Sequence, residues 1–309
     1  MFVTEVVAAL DCGSNSTRLL IENSIGDVVV REVRITRLSQ GVDASGRLID
    51  AAMQRSYAVL AEYRDYMDEA GVERGLLVAT SAVRDASNGE EFLNEAGHIT
   101  GVEAEILNGA QEASYSYDGA TSGLAPDPRT TVVLDIGGGS TEMAMMLGAT
   151  MFSYSMQLGC VRVSERALGR DVVTRDGEEA ARLMINQELD RAFGMVPAFA
   201  TLDSEVRLVG LAGTIATLAQ LDAGLAVYDR DAVHHRRLSR ESVVEWRDRL
   251  ASETPAQRLT HPGMVVGRED VLVAGLYVLD AVMERFGVSE LLSSENDILD
   301  GITASLLRG

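Results

Sequence analysis

Two short segments of the sequence repeat a pattern of residues that suits phosphate binding. The first runs from Asp11 to Thr17 as Asp-Cys-Gly-Ser-Asn-Ser-Thr, and the second runs from Asp135 to Thr141 as Asp-Ile-Gly-Gly-Gly-Ser-Thr. In both, apolar residues lead into the aspartate and resume after the threonine, which predicts a strand, a tight turn and a second strand. Glycines let such a turn approach an anion closely, and its N–H and hydroxyl groups can point at that anion. The repeat predicts a duplicated fold that faces a phosphate from two sides.

The aspartate at the entrance of each turn is a candidate metal ligand. A carboxylate beside bound phosphate can hold a divalent cation, which assigns this role to Asp135 and Asp11. The alternative is an aspartate that hydrogen-bonds its own turn. The polar and glycine residues of the turns then form the anion cradle. In the second turn these are Gly137, Gly138, Gly139, Ser140 and Thr141, and in the first they are Ser14, Asn15 and Ser16.

Two arginines lie where a phosphate group could reach them. Arg18 follows the first turn, and Arg84 follows a predicted strand at 75–79 and a run of small polar residues. A guanidinium group can donate several hydrogen bonds to phosphate oxygens. Each arginine also has a structural alternative, because Arg18 fits the solvated face of a strand and Arg84 could pair with Asp85 or Glu90.

Glu112 is the candidate general base. It lies in the first turn of a predicted helix at 110–120, just after Asn108, a candidate helix cap. Water that attacks a phosphoryl group needs an acceptor to orient and deprotonate it. The alternative is a carboxylate that is favoured by the helix dipole alone.

The segment Gly210-Leu-Ala-Gly-Thr214 ends a predicted strand and opens a helix, so Gly213 is a further candidate binding residue. Close packing of the helix against the strand explains such glycines equally well.

Composition limits the classes of function. The chain has 309 residues, 46% of them hydrophobic, and a formal net charge of −20, which argues against nucleic acid as a partner. It contains no lysine, which excludes a Walker-type phosphate loop and a protein kinase. It shows neither a long apolar run nor a basic leader, so we expect a cytoplasmic protein without a membrane partner. Cys12 and Cys160 lack metal or redox spacing, which favours reduced, buried thiols.

The elements follow the same order in both halves. Strands are predicted at 6–10, 19–21, 26–35, 75–79 and 101–107, with helices at 50–70, 90–95 and 110–120. After Pro126-Asp-Pro128, which is typical of a linker, strands are predicted within 131–147 and at 150–157 and 206–211, with a helix at 176–194 and helices from there to the end. This order predicts two α/β domains, 1–125 and 126–309, with a cleft between them and with the last helix packing back on the first domain.

Motifs spread along the whole chain resemble those of the exopolyphosphatase and guanosine pentaphosphate phosphohydrolase family, in the actin, Hsp70 and sugar-kinase superfamily. Besides the two turns, they comprise Ala79-Thr-Ser-Ala-Val-Arg-Asp-Ala86, Leu107-Asn-Gly-Ala-Gln-Glu-Ala113, Gly159-Cys-Val-Arg162, Gly210-Leu-Ala-Gly-Thr214, Gly267-Arg-Glu-Asp270 and Ser294-Glu-Asn-Asp-Ile-Leu-Asp-Gly301. The resemblance implies an α/β fold of two ribonuclease-H-like (actin-like ATPase) domains, related by duplication, with an interdomain active-site cleft.

The resemblance also implies an activity, which is removal of the terminal phosphate from polyphosphate or from guanosine pentaphosphate (pppGpp) with Mg²⁺, or Mn²⁺ in its place. By this resemblance Glu112 is the catalytic base, Asp135 holds the metal, and Glu142 is a second catalytic carboxylate that helps to place metal or water. Arg84 and both turns would hold phosphates, and Arg18 and Arg268 could contact the guanosine or the phosphates of pppGpp or ppGpp.

Two features of the chain bear on the resemblance. Gln111 stands where relatives carry the first of two consecutive acids. The chain resembles the short two-domain members, which makes short polyphosphate the expected substrate. A homodimer is common among relatives, but composition does not decide the oligomeric state.

Two other classes of function stay open from the sequence. A kinase of the same fold would bind ATP against residues 210–214 and would consume it only with an acceptor. A silent sensor would bind polyphosphate or alarmone through the same cradle, and replacing Glu112 by Gln would then change no activity.

Overall fold

Runs of buried, mostly apolar residues form the central strands of two β-sheets, one in each of two units of the chain. The computed structural model describes residues 4–202 and 205–308. Unit 1 comprises the chain up to Gly119 together with the residues from Ile298 onward, and unit 2 comprises Ala120–Asp297. The predicted domain boundary at 125/126 falls in the loop before the first strand of unit 2 and stays a prediction.

Unit 1 begins with three strands, and its helices alternate with two more. Its elements in chain order are β1 (Val6–Cys12), β2 (Ser16–Asn23), β3 (Val28–Ile35), α1 (Val42–Ser45), α2 (Asp50–Ala70), β4 (Arg74–Ala79), α3 (Ser81–Arg84), α4 (Gly89–Thr100), β5 (Glu103–Ile106) and α5 (Gly109–Thr121).

Unit 2 repeats this order with additional elements, and the chain then returns to unit 1 for its last helix. The elements are β6 (Thr130–Ile136), β7 (Thr141–Leu147), β8 (Thr150–Met156), α6 (Cys160–Val163), a π-helical turn (Ser164–Leu168), α7 (Arg175–Met195), a 3₁₀ turn (Pro197–Phe199), β9 (Val206–Leu211), α8 (Ala212–Asp222), α9 (Arg230–Val233), β10 (Arg237–Ser239), α10 (Arg240–Ala251), α11 (Pro255–Arg258), α12 (Leu272–Phe286), β11 (Glu290–Ser293) and α13 (Ile298–Arg308).

The two sheets share one topology. The strand order is β3-β2-β1-β4-β5 in unit 1 and β8-β7-β6-β9-β11-β10 in unit 2. In each, the first three strands pair antiparallel, and the first strand also pairs parallel with the fourth. The first strand of each repeat is therefore central and buried, and the repeated turn lies at its carboxyl end, where α/β sheets place their ligands. The predicted duplication of two α/β units is confirmed.

The long helices form where their apolar residues recur every three or four positions. In α2, Met53, Leu60, Tyr63 and Met67 are buried against the unit 1 sheet, and the helix ends at Gly71, whose φ of 66° is left-handed. Such an angle suits glycine because it has no Cβ. The helix predicted at 50–70 is confirmed.

Helix α4 is longer than the predicted 90–95 and ends one residue before the strand predicted at 101–107. It extends to Thr100, whose hydroxyl donates to the carbonyl of Ala96 at 2.8 Å. Phe92, Leu93 and Ala96 are buried on one face. Packing of this face overrides the weak helix propensity of its glycine and β-branched residues, and β5 is shortened to four residues.

The expectation of helices alone after 211 is wrong, because two short strands interrupt them. β11 pairs parallel with β9, and β10 pairs antiparallel with β11. Strands of three and four residues are too short to show a period of two in the sequence. These strands extend the sheet of unit 2, whose core also contains α7, α8, α10 and α12. Within residues 4–202 and 205–308, no helix combines the length and apolar character needed to cross a membrane.

The last helix covers one face of the unit 1 sheet. Ile298, Leu299 and Ile302 of α13 are buried with Ala9 and Leu20 of the first two strands. A Cβ atom on Gly301 would overlap the backbone carbonyl of Tyr115 in α5. Helices α13 and α5 therefore approach each other at a glycine, which is the only residue small enough for that contact.

Replacing Gly301 by Ala should destabilise unit 1. The added methyl group meets backbone atoms that can move only with their helix, so we expect a loss of about 1–3 kcal/mol in the free energy of unfolding. The matched control is Gly194→Ala in α7, where nothing lies within 4 Å of the added Cβ. This control should be neutral or stabilising by up to about 1 kcal/mol, because alanine favours the helix. Thermal unfolding measures both, and equal effects would contradict the close contact.

Candidate active site

The two repeated turns close with the same hydrogen bond. The N–H of Gly13 donates to the carbonyl of Ser16 at 3.0 Å, and the N–H of Gly137 donates to the carbonyl of Ser140 at 3.0 Å. Each turn thus joins two antiparallel strands and brings the residue seven positions after its aspartate directly opposite that aspartate. The partners are Arg18 opposite Asp11 and Glu142 opposite Asp135.

In unit 1 this register makes an ion pair. The Nε and Nη2 atoms of Arg18 lie 2.9 and 2.6 Å from Oδ2 of Asp11, whose side chain is 2% exposed. Arg18 thus does more than face solvent from its strand, which was the alternative from the sequence. Its guanidinium holds the Asp11 carboxylate in one orientation, and a phosphate role for Arg18 stays a prediction.

In unit 2 the same register places two carboxylates opposite each other. Asp135 is 6% exposed and Glu142 is 2% exposed. Directly opposite residues of antiparallel strands have Cβ atoms about 5 Å apart on one face of the sheet. The next strand adds Ser155 opposite Glu142, and its hydroxyl donates to Oε1 of Glu142 at 2.6 Å. A row of Asp135, Glu142 and Ser155 therefore crosses three strands.

The donor set of this row fits a magnesium ion. Across the described part of the chain, three or more His, Cys, Asp or Glu side chains do not gather into a group that could hold a metal by themselves. Mg²⁺ is usually bound by one or two carboxylates, with waters and substrate phosphates as its other ligands. Two buried carboxylates on one face match that requirement. The Asp135 and Glu142 pair is the stronger candidate, while the predicted metal role of Asp11 must compete with Arg18.

The carbonyl groups of the second turn are held by the segment that follows β8. The N–H groups of Cys160 and Val161 donate to the carbonyls of Gly137 and Gly138, each at 2.9 Å, and Nε of Arg162 donates to the carbonyl of Gly139 at 2.7 Å. With the carbonyls bound on this side, the N–H groups of the turn can face an anion on the other. A Cβ on Gly159 would overlap Gly138, so the contact requires a glycine there.

Two hydroxyls of this turn are buried. Ser140 precedes β7 and Thr141 is its first residue, and the hydroxyl of Thr141 donates to the carbonyl of Leu158. Thr141 is therefore fixed by the same segment that binds the turn.

The first turn is held by backbone and hydroxyl contacts within unit 1. The carbonyl of Ser14 accepts from the N–H of Ser39 at 2.9 Å, and the carbonyl of Asn15 accepts from the N–H of Thr36 at 3.1 Å. The Oγ atoms of Ser14 and Ser81 lie 3.0 Å apart, and Ser81 opens α3 directly after β4. The first turn and the segment after β4 are thus in contact.

Glu112 lies in the first turn of α5 and is 7% exposed. The side chain of Asn108 accepts from the N–H groups of Ala110 and Gln111 at 3.0 Å, and the side chain of Gln111 accepts from the N–H of Asn108 at 3.0 Å. This reciprocal capping fixes the start of the helix. It confirms the predicted cap and gives a structural reason for Gln111.

Arg84 connects the segment after β4 with α5. Its Nη1 donates to the carbonyl of Leu107 at 2.8 Å and lies 3.2 Å from Oε2 of Glu112. A partly buried cation therefore faces the candidate base. The structural partners considered from the sequence were Asp85 and Glu90, whereas this ion pair is with Glu112.

Gly213 and Arg268 are brought together in unit 2. A Cβ on Gly213 would overlap the guanidinium of Arg268, so the guanidinium packs directly against the first turn of α8.

Both cysteine thiols have a raised pKa. Burial raises the pKa of the Cys160 thiol, while the positive charge of Arg268 lowers it. Burial likewise raises the pKa of the Cys12 thiol, and the Asp11 carboxylate adds to the effect. Both cysteines are free and buried, as expected.

Comparison with known proteins shows the family of the chain. The model of the Ppx/GppA phosphatase family matches residues 21–308. The chain belongs to the Ppx/GppA phosphatase family. It is 39% identical to Exopolyphosphatase 2 of Mycobacterium tuberculosis over 316 aligned residues, which cover 97% of this chain and 98% of that protein.

Solved structures of Ppx/GppA proteins are similar over the whole chain. The crystal structure of an exopolyphosphatase-like protein has a TM-score of 0.92 and 33% identity, covering 98% of this chain and 99% of that one. The Aquifex aeolicus member of the Ppx/GppA family has a TM-score of 0.81 and 29% identity, covering 99% and 98%. The expected hydrolase family and actin-like α/β fold are confirmed, while the roles of individual site residues stay predictions.

Two residues of the Ppx/GppA chain that contact the candidate site were given no role from the sequence. Ser155 lies in a strand where polar and apolar residues alternate, but only the strand register shows that it faces Glu142. Arg162 was part of a motif, but its bond to Gly139 depends on the path of the chain after β8.

The opposite charge patterns of the two repeats predict opposite effects of the same substitution. Asp11→Asn leaves Arg18 without its charged partner and should lower the free energy of unfolding by about 2 kcal/mol. Asp135→Asn removes one of two neighbouring like charges and should be neutral or stabilising by about 0.5 kcal/mol when metal is chelated. Thermal unfolding in chelator measures both. Equal destabilisation by the two variants would show that the cross-strand partner of each aspartate does not determine the effect of its substitution on the free energy of unfolding.

Proposed function

We propose that this protein is an exopolyphosphatase that releases terminal orthophosphate from inorganic polyphosphate by metal-dependent hydrolysis. The observation that carries the proposal is the position of Glu112, a buried carboxylate at a capped helix start beside Arg84, in a chain of a phosphatase family. The relative from M. tuberculosis named Exopolyphosphatase 2 supports the choice of substrate. Short polyphosphate is the proposed substrate length.

Glu112 is proposed to act as the general base. A carboxylate can orient a water molecule and accept its proton as the oxygen attacks the terminal phosphorus. The proton moves to the Glu112 carboxylate, the bond to the bridging oxygen breaks, and the shortened chain leaves with that oxygen. Arg84 Nη1 lies 3.2 Å from Oε2 of the carboxylate and adds positive charge beside it.

Enzymes of the Ppx/GppA family depend on a divalent metal ion, and we propose Mg²⁺ for this one, with Mn²⁺ as a replacement. Asp135 and Glu142 would hold it, with Asp11 as a further candidate. When bound, such an ion supplies positive charge that stabilises the phosphate oxygens during transfer. The two carboxylates are buried on one face of the sheet, and a cation between them would offset the repulsion of their negative charges.

The turns and arginines are proposed to bind phosphate groups. The second turn presents Gly137, Gly138 and Gly139, whose carbonyls are bound on the side of α6. In the first turn the binding residues are Ser14, Asn15 and Ser16, with Arg18 and Arg84 adding positive charge. Gly213 and Arg268 supply a helix start and a guanidinium group, both of which suit an anion.

Guanosine pentaphosphate is the second substrate to test. A homodimer and a cytoplasmic location also stay predictions.

Glu112→Gln should abolish most of the phosphate release. An amide keeps the shape of the side chain but cannot accept the proton, so we expect the turnover number to fall about 100-fold or more with little change in KM. The assay is orthophosphate release from short and long polyphosphate with Mg²⁺. The matched control is Asp118→Asn on the same helix, a half-exposed carboxylate that lies 3.7 Å from Arg308, and it should keep wild-type turnover.

Chelation of the metal should stop release by the wild type. Activity of Glu112→Gln equal to that of the wild type would contradict the role of Glu112. Polyphosphate binding without release by any of the proteins would show that the chain is a sensor, and faster release from pppGpp than from polyphosphate would change the assigned substrate.

A further inference from the structure

Ser155 in the third strand of unit 2 contacts one of the two buried carboxylates. Its hydroxyl donates to Oε1 of Glu142 at 2.6 Å, and the two residues are register partners on β8 and β7. A hydroxyl that donates to a carboxylate makes a charge-assisted bond, which is shorter and stronger than one between neutral groups. We propose that Ser155 is a positioning residue that orients Glu142 for cation binding.

The position of Ser155 follows from the two faces of β8. Phe152, Tyr154 and Met156 point to the core of unit 2. Because side chains alternate along a strand, Ser153 and Ser155 lie on the other face. The register places Ser155 opposite Glu142 and Ser153 opposite Ala144. Only one of the two serines is therefore opposite a carboxylate.

The other repeat provides an internal comparison. There the corresponding row is Asp11, Arg18 and Val33. Asp11 is already held by the guanidinium of Arg18, and the third position is an exposed valine. In unit 2, where the second position is a carboxylate, the third position is a hydroxyl. The hydroxyl donor of Ser155 thus occurs in unit 2, where the middle residue of the row is a carboxylate. In unit 1 the middle residue is an arginine, and the valine beside it at the third position has no side-chain donor.

The expected consequence is on metal affinity. A glutamate side chain has several rotamers, and a bond to one oxygen restricts them before a cation arrives. With Oε1 bound by Ser155, the carboxylate is oriented on the face of the sheet that it shares with Asp135. Loss of a residue that orients a metal ligand typically costs 10–100-fold in metal affinity or activity. The inference rests on the proposed metal site, but not on which phosphate compound is the substrate.

The test is Mn²⁺ binding to the whole protein, followed by electron paramagnetic resonance, for Ser155→Ala, Ser155→Thr and Ser153→Ala. Ser155→Ala should weaken Mn²⁺ binding about 10-fold. Ser155→Thr keeps the hydroxyl and should bind Mn²⁺ within about threefold of the wild type. Ser153→Ala, on the same face and strand, should match the wild type. Thermal unfolding of each variant identifies any loss of fold.

Steady-state kinetics gives the second readout. For Ser155→Ala, the Mg²⁺ concentration for half-maximal phosphate release should rise about 10-fold, whereas KM for polyphosphate and turnover at saturating Mg²⁺ should stay within about twofold of the wild type. A merely structural serine would lower turnover or stability without this selective effect.

The inference would be overturned by any of three results. These are an unchanged Mn²⁺ affinity in Ser155→Ala, an equally weakened Mn²⁺ affinity in Ser153→Ala, or no Mn²⁺ binding by the wild type. A different result would separate the two proposals. If Ser155→Ala weakens Mn²⁺ binding but the wild type releases no phosphate, the positioning role of Ser155 is supported and the proposed hydrolase activity is overturned.

Discussion

The register of one antiparallel strand pair decides which charges meet beside each of the two repeated turns. Each turn is closed by the same glycine N–H bond, so the residue seven positions after the aspartate is always its cross-strand partner. In unit 1 that partner is Arg18, and in unit 2 it is Glu142. One backbone geometry thus yields an ion pair in one repeat and a pair of carboxylates in the other. A shift of the register by one residue would turn these partners to the opposite face of the sheet.

This difference explains how a duplicated fold can divide its functions. In unit 1 the arginine fixes the aspartate, and the proposed base, Glu112, is placed separately by the cap of α5 and by Arg84. In unit 2 the carboxylate pair can accept a cation, and the turn beside it has its carbonyls bound by the segment after β8. Burial makes both arrangements sensitive to charge, because a buried charge needs a partner of opposite sign. The proposed hydrolase follows from these placements together.

Much of this arrangement could be predicted from the sequence. The repeated turns, helix α2 with Gly71 and the cap at Asn108 depend on local patterns, and the structure has them where the sequence predicts them. The strands β10 and β11 could not be predicted, because short strands form only through pairing with distant segments. Ser155 and the bond from Arg84 to Glu112 were missed for the same reason. Such contacts depend on register and chain path, which one sequence does not reveal.

The most direct test of the account is a crystal structure with Mn²⁺, in which anomalous scattering locates the metal. The account predicts a peak beside Asp135 and Glu142, with Arg18 still bound to Asp11. A peak at Asp11 with Arg18 displaced, and none at Asp135, would contradict the central claim that the carboxylate pair of unit 2 is the cation site.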